Sequence, residues 1–253
     1  YADLVKSGKV MLGEAVNFVV PTGNFGDILA AYYAGNMGLP IHKLICASNR
    51  NNVLTDFFET GIYSTHRTFF KTMSPSMDIL ISSNLERLLF EAADRDGSLI
   101  GVWMKQLKEC GSYSVGDQRM EWMRSMFYAG FADDLETLKE INERYTQDGY
   151  LMDTHTAVAS KVLKQYRQAT GDDTVSVIVS TASPYKFAAD VLTGVAGKEA
   201  VEGIDAFECS EKLEEVTGVP MPAQVKQLRE LPVRHTARCE KDGMDQAVLD
   251  AFG

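Results

Sequence analysis

Residues 15–20, AVNFVV, form a short apolar run rich in valine and bounded by turn-forming positions. That pattern predicts a strand of a parallel sheet, covered on both faces. From Phe25 to about Met37 the period changes. Ile28, Leu29, Tyr32 and Tyr33 recur at helical spacing, and Gly38 stands where such a helix would stop. His42 to Ala47 (HKLICA) returns to a strand pattern, and Asn52 to Glu59 reads as a helix closed by Gly61. Strand, turn, helix, strand, helix is the crossover unit of an α/β sheet.

Residues 62–82, with Pro75 and several hydroxyl side chains, read as loop. Helical periodicity dominates from Asn84 to about Arg167, interrupted by Gly97, by Gly111–Gly116 and by Gly149. TVSVIVSTASPYKF then repeats the strand-to-turn form, and a helix starts over Phe187 to Leu192. After Gly197 the pattern is of short helices joined by GVPMPAQ, with a last helix near Gln246 to Phe252. No internal repeat or low-complexity linker is visible. The expected architecture is one α/β core over about residues 10–197, with helical additions, and a helical tail over 198–253.

Composition narrows the class of partner. Of 253 residues, 45% are hydrophobic and 24% charged, the balance of a globular protein large enough to bury a core. A net charge of −10 argues against a nucleic-acid partner held by bulk attraction to phosphates. No apolar run approaches a membrane span, so no membrane partner is expected. Cys46, Cys110, Cys209 and Cys239 are widely spaced and do not read as a disulfide framework, which favours a reducing, cytoplasmic setting. The four histidines are scattered, and no metal site is expected.

Ligands of open parallel sheets sit beyond the carboxyl ends of the strands, where the next helices begin. Two turns fit that position. In Pro21-Thr22-Gly23-Asn24-Phe25-Gly26-Asp27 the glycines permit close backbone approach, and a helix start offers unpaired N–H groups to a phosphate. The plain alternative is a strand-to-helix turn in which Asn24 caps the helix. The glycine pattern lacks the Lys-Ser/Thr ending of a P-loop. The second turn, Ser180 to Phe187, offers three hydroxyls and then Lys186, with simple capping by Ser183 before Pro184 as its alternative.

Four blocks carry a resemblance to a known family: VPTGNFGDILAAYYAGNMGLPIHKLICASN, SPSMDILISSNLERLLFE (Ser74 to Glu91), DTHTAVA (Asp153 to Ala159) and VSTASPYKF (Val179 to Phe187). Together, and in this order, they resemble threonine synthases. Residues 188–253 match only as a C-terminal end. The resemblance implies a Rossmann-like parallel sheet flanked by helices, of pyridoxal-phosphate (PLP) fold type II. It also implies conversion of O-phospho-L-homoserine and water to L-threonine and phosphate. Carried over, Gly23, Asn24, Phe25, Gly26 and the Asp27 amide hold the cofactor phosphate, and Thr181 faces the pyridine nitrogen. A hydroxyl there leaves the ring a milder electron sink than a carboxylate would.

The same resemblance brings Ser83, Asn84, Arg87, Asp153, His155 and Lys186 toward the substrate. Each also has a structural reading. Arg87 can pair with Glu91 one turn on, Asp153 can cap the helix that follows, His155 can be a buried hydrogen-bonding residue, and Lys186 can simply be exposed. The family's Schiff-base lysine lies in an earlier block of the GPTxAFKD type, which this sequence does not contain; Lys71, in FFKTMSP, has a different context. The chain opens on YADLVKSGKV, read as the end of a helix. The expectation is therefore the later part of a threonine synthase, without activity alone, whose partner is the missing N-terminal half. Two rivals stand beside it: a threonine-synthase-like phospho-lyase acting on a related amino-acid phosphate, and a non-catalytic module that binds a phosphate or a partner chain.

Overall fold

In the computed structural model, which describes residues 1–252, the apolar run after a short helix α1 (Ala2–Lys6) becomes strand β1 (Val16–Pro21). Helix α2 (Gly26–Asn36) leads to β2 (Ile41–Ser48), and α3 (Val53–Thr60) ends on Gly61 in the left-handed conformation. A short strand β3 (Ile62–Ser64) precedes the loop to helix α4 (Leu85–Ala92). Helix α5 (Gly97–Cys110), strand β4 (Ser112–Ser114) and helix α6 (Asp117–Met126) follow. The chain then runs through β5 (Phe127–Phe131), α7 (Asp134–Asp148), α8 (Thr154–Thr170) and β6 (Ser176–Ile178). Helices α9 (Ala188–Ala196) and α10 (Ala206–Thr217) complete a first compact unit, Tyr1–Val219. A second unit begins at Pro220 and carries α11 (Ala223–Leu228) and α12 (Met244–Phe252).

Four strands form a parallel sheet in the order β5-β2-β1-β6, while β3 and β4 pair antiparallel on their own. Alternation along the strands builds a core on each face. Val20, Leu44 and Cys46 face Ile28, Leu29, Phe57 and Phe127 on one side. Val19, Ile45 and Ala47 face Val158, Val162 and Tyr166 of α8 on the other. Helices therefore cover both faces, as the apolar runs Phe18–Val20 of β1 and Leu44–Ala47 of β2 predict.

The strand order has a consequence for function. From β1 the chain crosses through α2 to β2 and on to β5, but it returns through α8, on the opposite face, to place β6 on the other side of β1. The connections diverge at β1 and β6. In open parallel sheets that divergence opens a crevice at the carboxyl ends of the two strands, the usual place for a ligand.

Two sequence expectations need correction. Phe127–Phe131 was expected to be helical, yet it is an edge strand of the main sheet paired to β2. No turn residue separates it from α6: Phe127 leaves the helix directly in extended conformation, so the boundary has no signal of its own. Residues 62–82 are not featureless loop either, since they hold β3 and a single tight helical turn at Pro75–Met77. Because β5 belongs to the main sheet and α8 packs against it, the long helical region is part of the core unit rather than a separate lobe.

Candidate functional site

Both turns singled out in the sequence lie at the carboxyl ends of neighbouring strands. The first leaves β1 after Pro21 and the second leaves β6 after Ile178, and the Val179 N–H bonds the Val19 carbonyl to continue the ladder. They flank the crevice defined by the strand order.

The first turn has an unusual backbone. Phe25, immediately before α2, has φ 69° and ψ 2°, the left-handed region that a bulky side chain seldom adopts. Such a conformation costs about 1–3 kcal/mol. The ring is 1% exposed and lies 5.8 Å from Phe127 and 6.3 Å from Phe58, centroid to centroid. Burying a phenylalanine contributes about 1.5–3 kcal/mol, so core packing and backbone strain nearly offset. The anchored ring and the bonds of Asn84 to the Asn24 carbonyl together hold the conformation.

Hydrogen bonds around the turn point its polar groups in opposite directions. Ser82 Oγ donates to the Gly23 carbonyl at 2.8 Å. The Asn84 N–H and side-chain amide both donate to the Asn24 carbonyl, at 3.0 and 3.1 Å. The Gly26 N–H donates to Asn24 Oδ1 at 3.0 Å. The N–H groups of Asn24, Phe25 and Asp27 have no acceptor among the described residues. These free donors meet the positive end of the α2 dipole, the arrangement that binds anions at helix starts. The glycines supply room. A Cβ at Gly23 would stand 3.0 Å from Met77 Cα, and one at Gly26 3.2 Å from Asn84 Nδ2 and 3.3 Å from Asn24 Oδ1.

The start of α8 closes another side. Asp153 caps the helix, accepting from the His155 N–H at 2.9 Å, and Thr156 Oγ1 also donates to it. Burial pushes the Asp153 carboxyl up, but donation from the His155 ring, from Thr156 and from the His155 backbone together hold it below its ordinary value. His155 Nε2 accepts the Ser76 N–H at 3.2 Å, which puts the ring proton on Nδ1, 3.2 Å from Asp153 Oδ1. Its ring centroid lies 4.8 Å from that of Phe187. Thr156 Oγ1 lies 3.4 Å from Ser180 Oγ, linking α8 to the second turn.

The structure thus brings together Gly23–Asp27, Asn84, Asp153 and His155, through direct bonds or through Ser76 and Ser82. Asn84, Asp153 and His155 are each engaged with other protein groups. Ser83 and Thr181 are exposed and their side chains bond nothing among the described residues. Arg87 is exposed and forms no ion pair among the described residues; Glu91 pairs with Arg95 instead, at 3.2 Å. Lys186 is exposed, with Nζ 5.4 Å from the Phe187 ring centroid.

Sequence reasoning missed the network that carries Ser76 to this place. Asn49 and Asn51, just past β2, donate to Asp78 Oδ1 at 2.8 and 2.9 Å, and Thr72 Oγ1 donates to the same oxygen at 2.7 Å. The Phe70 N–H bonds Asn51 Oδ1 at 3.0 Å, and the Arg50 guanidinium carbon lies 3.8 Å from the Phe70 ring centroid. The available signal was the polar cluster SNRNN directly after an apolar strand.

A parallel α/β sheet with free backbone donors at a topological switch point defines the class: an open α/β protein, an architecture whose ligands sit at the carboxyl edge of the sheet. Comparison with known proteins gives the relationship. The chain is homologous to threonine synthase and to threonine synthase-like 1 over part of their length. It is 44% identical over 204 residues to threonine synthase-like 1 of Macaca fascicularis, covering 80% of this chain and 27% of that protein. It superposes on yeast threonine synthase with a TM-score of 0.79 at 32% identity, covering 94% of this chain and 47% of that one. The PLP-bound threonine synthase of Brucella melitensis gives a TM-score of 0.71 at 36% identity, covering 85% of this chain and 48% of that one. No family model matches the chain. The parallel sheet flanked by helices is the fold expected from the sequence. No helix among the described residues is long and apolar enough to cross a membrane.

Proposed function

We propose that this chain forms the phosphate-binding part of a PLP-dependent threonine synthase, which converts O-phospho-L-homoserine and water to L-threonine and phosphate. The observation that carries the reading is the set of free amides at Asn24, Phe25 and Asp27, at the carboxyl end of β1 and beside the turn that follows β6. These residues fit the phosphate end of the cofactor, which when bound supplies an electron sink for charge developing on the substrate. Gly23 and Gly26 leave the space, the Asn24, Phe25 and Asp27 amides donate to the anion, and Thr181 offers a neutral hydroxyl to the pyridine nitrogen. With a net charge of −10, attraction must come from these local dipoles and not from the whole molecule.

Ser83, Arg87 and Lys186 are assigned to the substrate side, since their side chains are exposed and uncommitted to hydrogen bonds or ion pairs within the protein. Asn84, Asp153 and His155 serve the same region by holding its backbone. The lysine that bonds the cofactor aldehyde is assigned to the portion of the relatives that this chain does not span. On this reading the polypeptide alone does not turn over. Incubated with PLP and O-phospho-L-homoserine, it should release no phosphate above background; sustained release dependent on the chain would overturn that expectation.

A second reading is favoured by the match to threonine synthase-like 1: elimination of phosphate from a related amino-acid phosphate, without threonine formation. Supplying the chain with the remaining half of a threonine synthase and comparing products from O-phospho-L-homoserine and its shorter homologue separates the two. Threonine as product supports the first reading, and a ketoacid without threonine supports the second.

A further inference from the structure

Behind the first turn, Ser82 and Asn84 reach the carbonyl groups of its backbone. We propose that Ser82 and Asn84 are positioning residues that set which way the turn's peptide groups face. The inference rests on the cofactor-phosphate reading of that turn.

Its basis is the planarity of the peptide group. In a trans peptide the N–H of one residue points opposite to the carbonyl of the residue before it. Ser82 Oγ holds the Gly23 carbonyl at 2.8 Å, so the Asn24 N–H is turned to the other side. Asn84 holds the Asn24 carbonyl twice, through its backbone N–H at 3.0 Å and its Nδ2 at 3.1 Å, which turns the Phe25 N–H away in the same sense. Two of the three amides left without protein acceptors, those of Asn24 and Phe25, are the ones whose preceding carbonyls are held. One short segment, Ser82 to Asn84, thereby orients two consecutive donors.

A choice of orientation exists because the Asn24–Phe25 peptide can rotate about its own axis with little movement of its neighbours. The paired turn types I and II differ by such a rotation of their central peptide, one with negative and the other with positive φ at the following residue. For Phe25, reversal would relieve a φ of 69°. The ring, packed against Phe58 and Phe127, does not by itself dictate the peptide plane. Asn84 does, because reversal would break both of its bonds to the Asn24 carbonyl. It also stands on the far side of Gly26, where an added Cβ would come within 3.2 Å of Nδ2. Asn84 is therefore committed to the turn by three relations, and one of its two Nδ2 protons is spent there.

The test uses the whole chain with pyridoxine 5′-phosphate, and with pyridoxine as the phosphate-free control; neither has an aldehyde to react with surface lysines. Amide resonances of Asn24, Phe25 and Asp27 report binding at the turn. The wild-type chain should bind the phosphorylated probe more tightly and shift those amides. Asn84→Ala and, independently, Ser82→Ala should weaken that probe by about 5–10-fold, the worth of one hydrogen bond. In the free protein Asn84→Ala should alter the nuclear Overhauser pattern of the Asn24–Phe25 peptide, and Ser82→Ala that of the Gly23–Asn24 peptide. Asp96→Ala removes the cap that accepts from the Ser98 and Leu99 amides on α5. It should lower stability comparably and leave probe affinity unchanged, separating positioning from general destabilisation. Unchanged affinity in folded Asn84→Ala and Ser82→Ala would overturn this inference and leave the cofactor reading standing. A wild-type chain that neither prefers the phosphorylated probe nor shifts the turn amides would overturn the cofactor reading, and this inference with it.

Discussion

At the scale of single residues, the two glycines of the first turn are required for different reasons. At Gly23 an added Cβ meets backbone, 3.0 Å from Met77 Cα and 3.2 Å from the Ser76 carbonyl oxygen. Gly23→Ala must move the Ser74–Met77 turn and should cost about 1–3 kcal/mol, as overpacking does. Calorimetry should record a melting temperature lower by a few degrees. At Gly26 the neighbours are two side-chain amides, which can shift. Gly26→Ala should leave the melting temperature nearly unchanged but weaken pyridoxine 5′-phosphate several-fold, because Asn84 must move; equal affinity would show that the turn tolerates that displacement. The need for glycine was legible in the sequence. The left-handed backbone at Phe25 was not, since no propensity assigns that conformation to a phenylalanine, and its supports, the packing against Phe58 and Phe127 and the bonds of Asn84 to the Asn24 carbonyl, lie far away in sequence.

At the scale of elements, Asp172 ties three of them together. Its carboxylate accepts from Asn17 of β1 at 3.0 Å, from Tyr166 of α8 at 2.6 Å, and from the Thr174 N–H and hydroxyl at 2.9 and 2.5 Å just before β6. Partial burial raises its pKa, yet the donations of Thr174, Tyr166 and Asn17 outweigh it and leave the carboxyl well below the ordinary 3.8. A depressed folded-state pKa stabilises the fold above the unfolded value, and that stability is lost as pH falls through the folded one. Asp172→Asn should cost about 2 kcal/mol at neutral pH, from hydrogen bonds to a charged acceptor. It should also flatten the loss of stability in acid. Urea titrations at pH 7 and pH 3 check both, and a variant as acid-sensitive as the wild type would remove Asp172 from this role. The elements joined here were read unequally well. Strand β1 and helix α2 follow from period and punctuation alone. Strand β5 does not, because α6 passes into it without a turn, and its strand character comes from pairing with β2. The Asn49, Asn51 and Asp78 network escaped for a related reason: polar residues that read as solvated loop are satisfied by partners about 20 to 30 positions away.

At the scale of the whole molecule, the four blocks that carried the resemblance meet at one end of the sheet although they are far apart in sequence. The site therefore depends on the order in which the sheet is completed. Strands β1 and β2 are joined by a single crossover and can pair early, but Asn17 meets Ser176 across nearly the whole first unit. Closing so long a loop brings an entropic cost before the pairing repays it, and sheets of this kind fold slowly. The divergence of connections that opens the crevice is thus also a timing device. The glycine turn precedes β6 in the sequence, and the wall formed by Ser180 and Thr181 cannot exist until that strand docks. Pulse-labelled hydrogen exchange during refolding should find the Val179 amide, bonded to Val19, protected later than amides of the β1–β2 ladder. Simultaneous protection would mean that the sheet closes in one step. A late-closing wall would leave the polypeptide an interval in which the turn after β1 has formed while the side that faces it is still open.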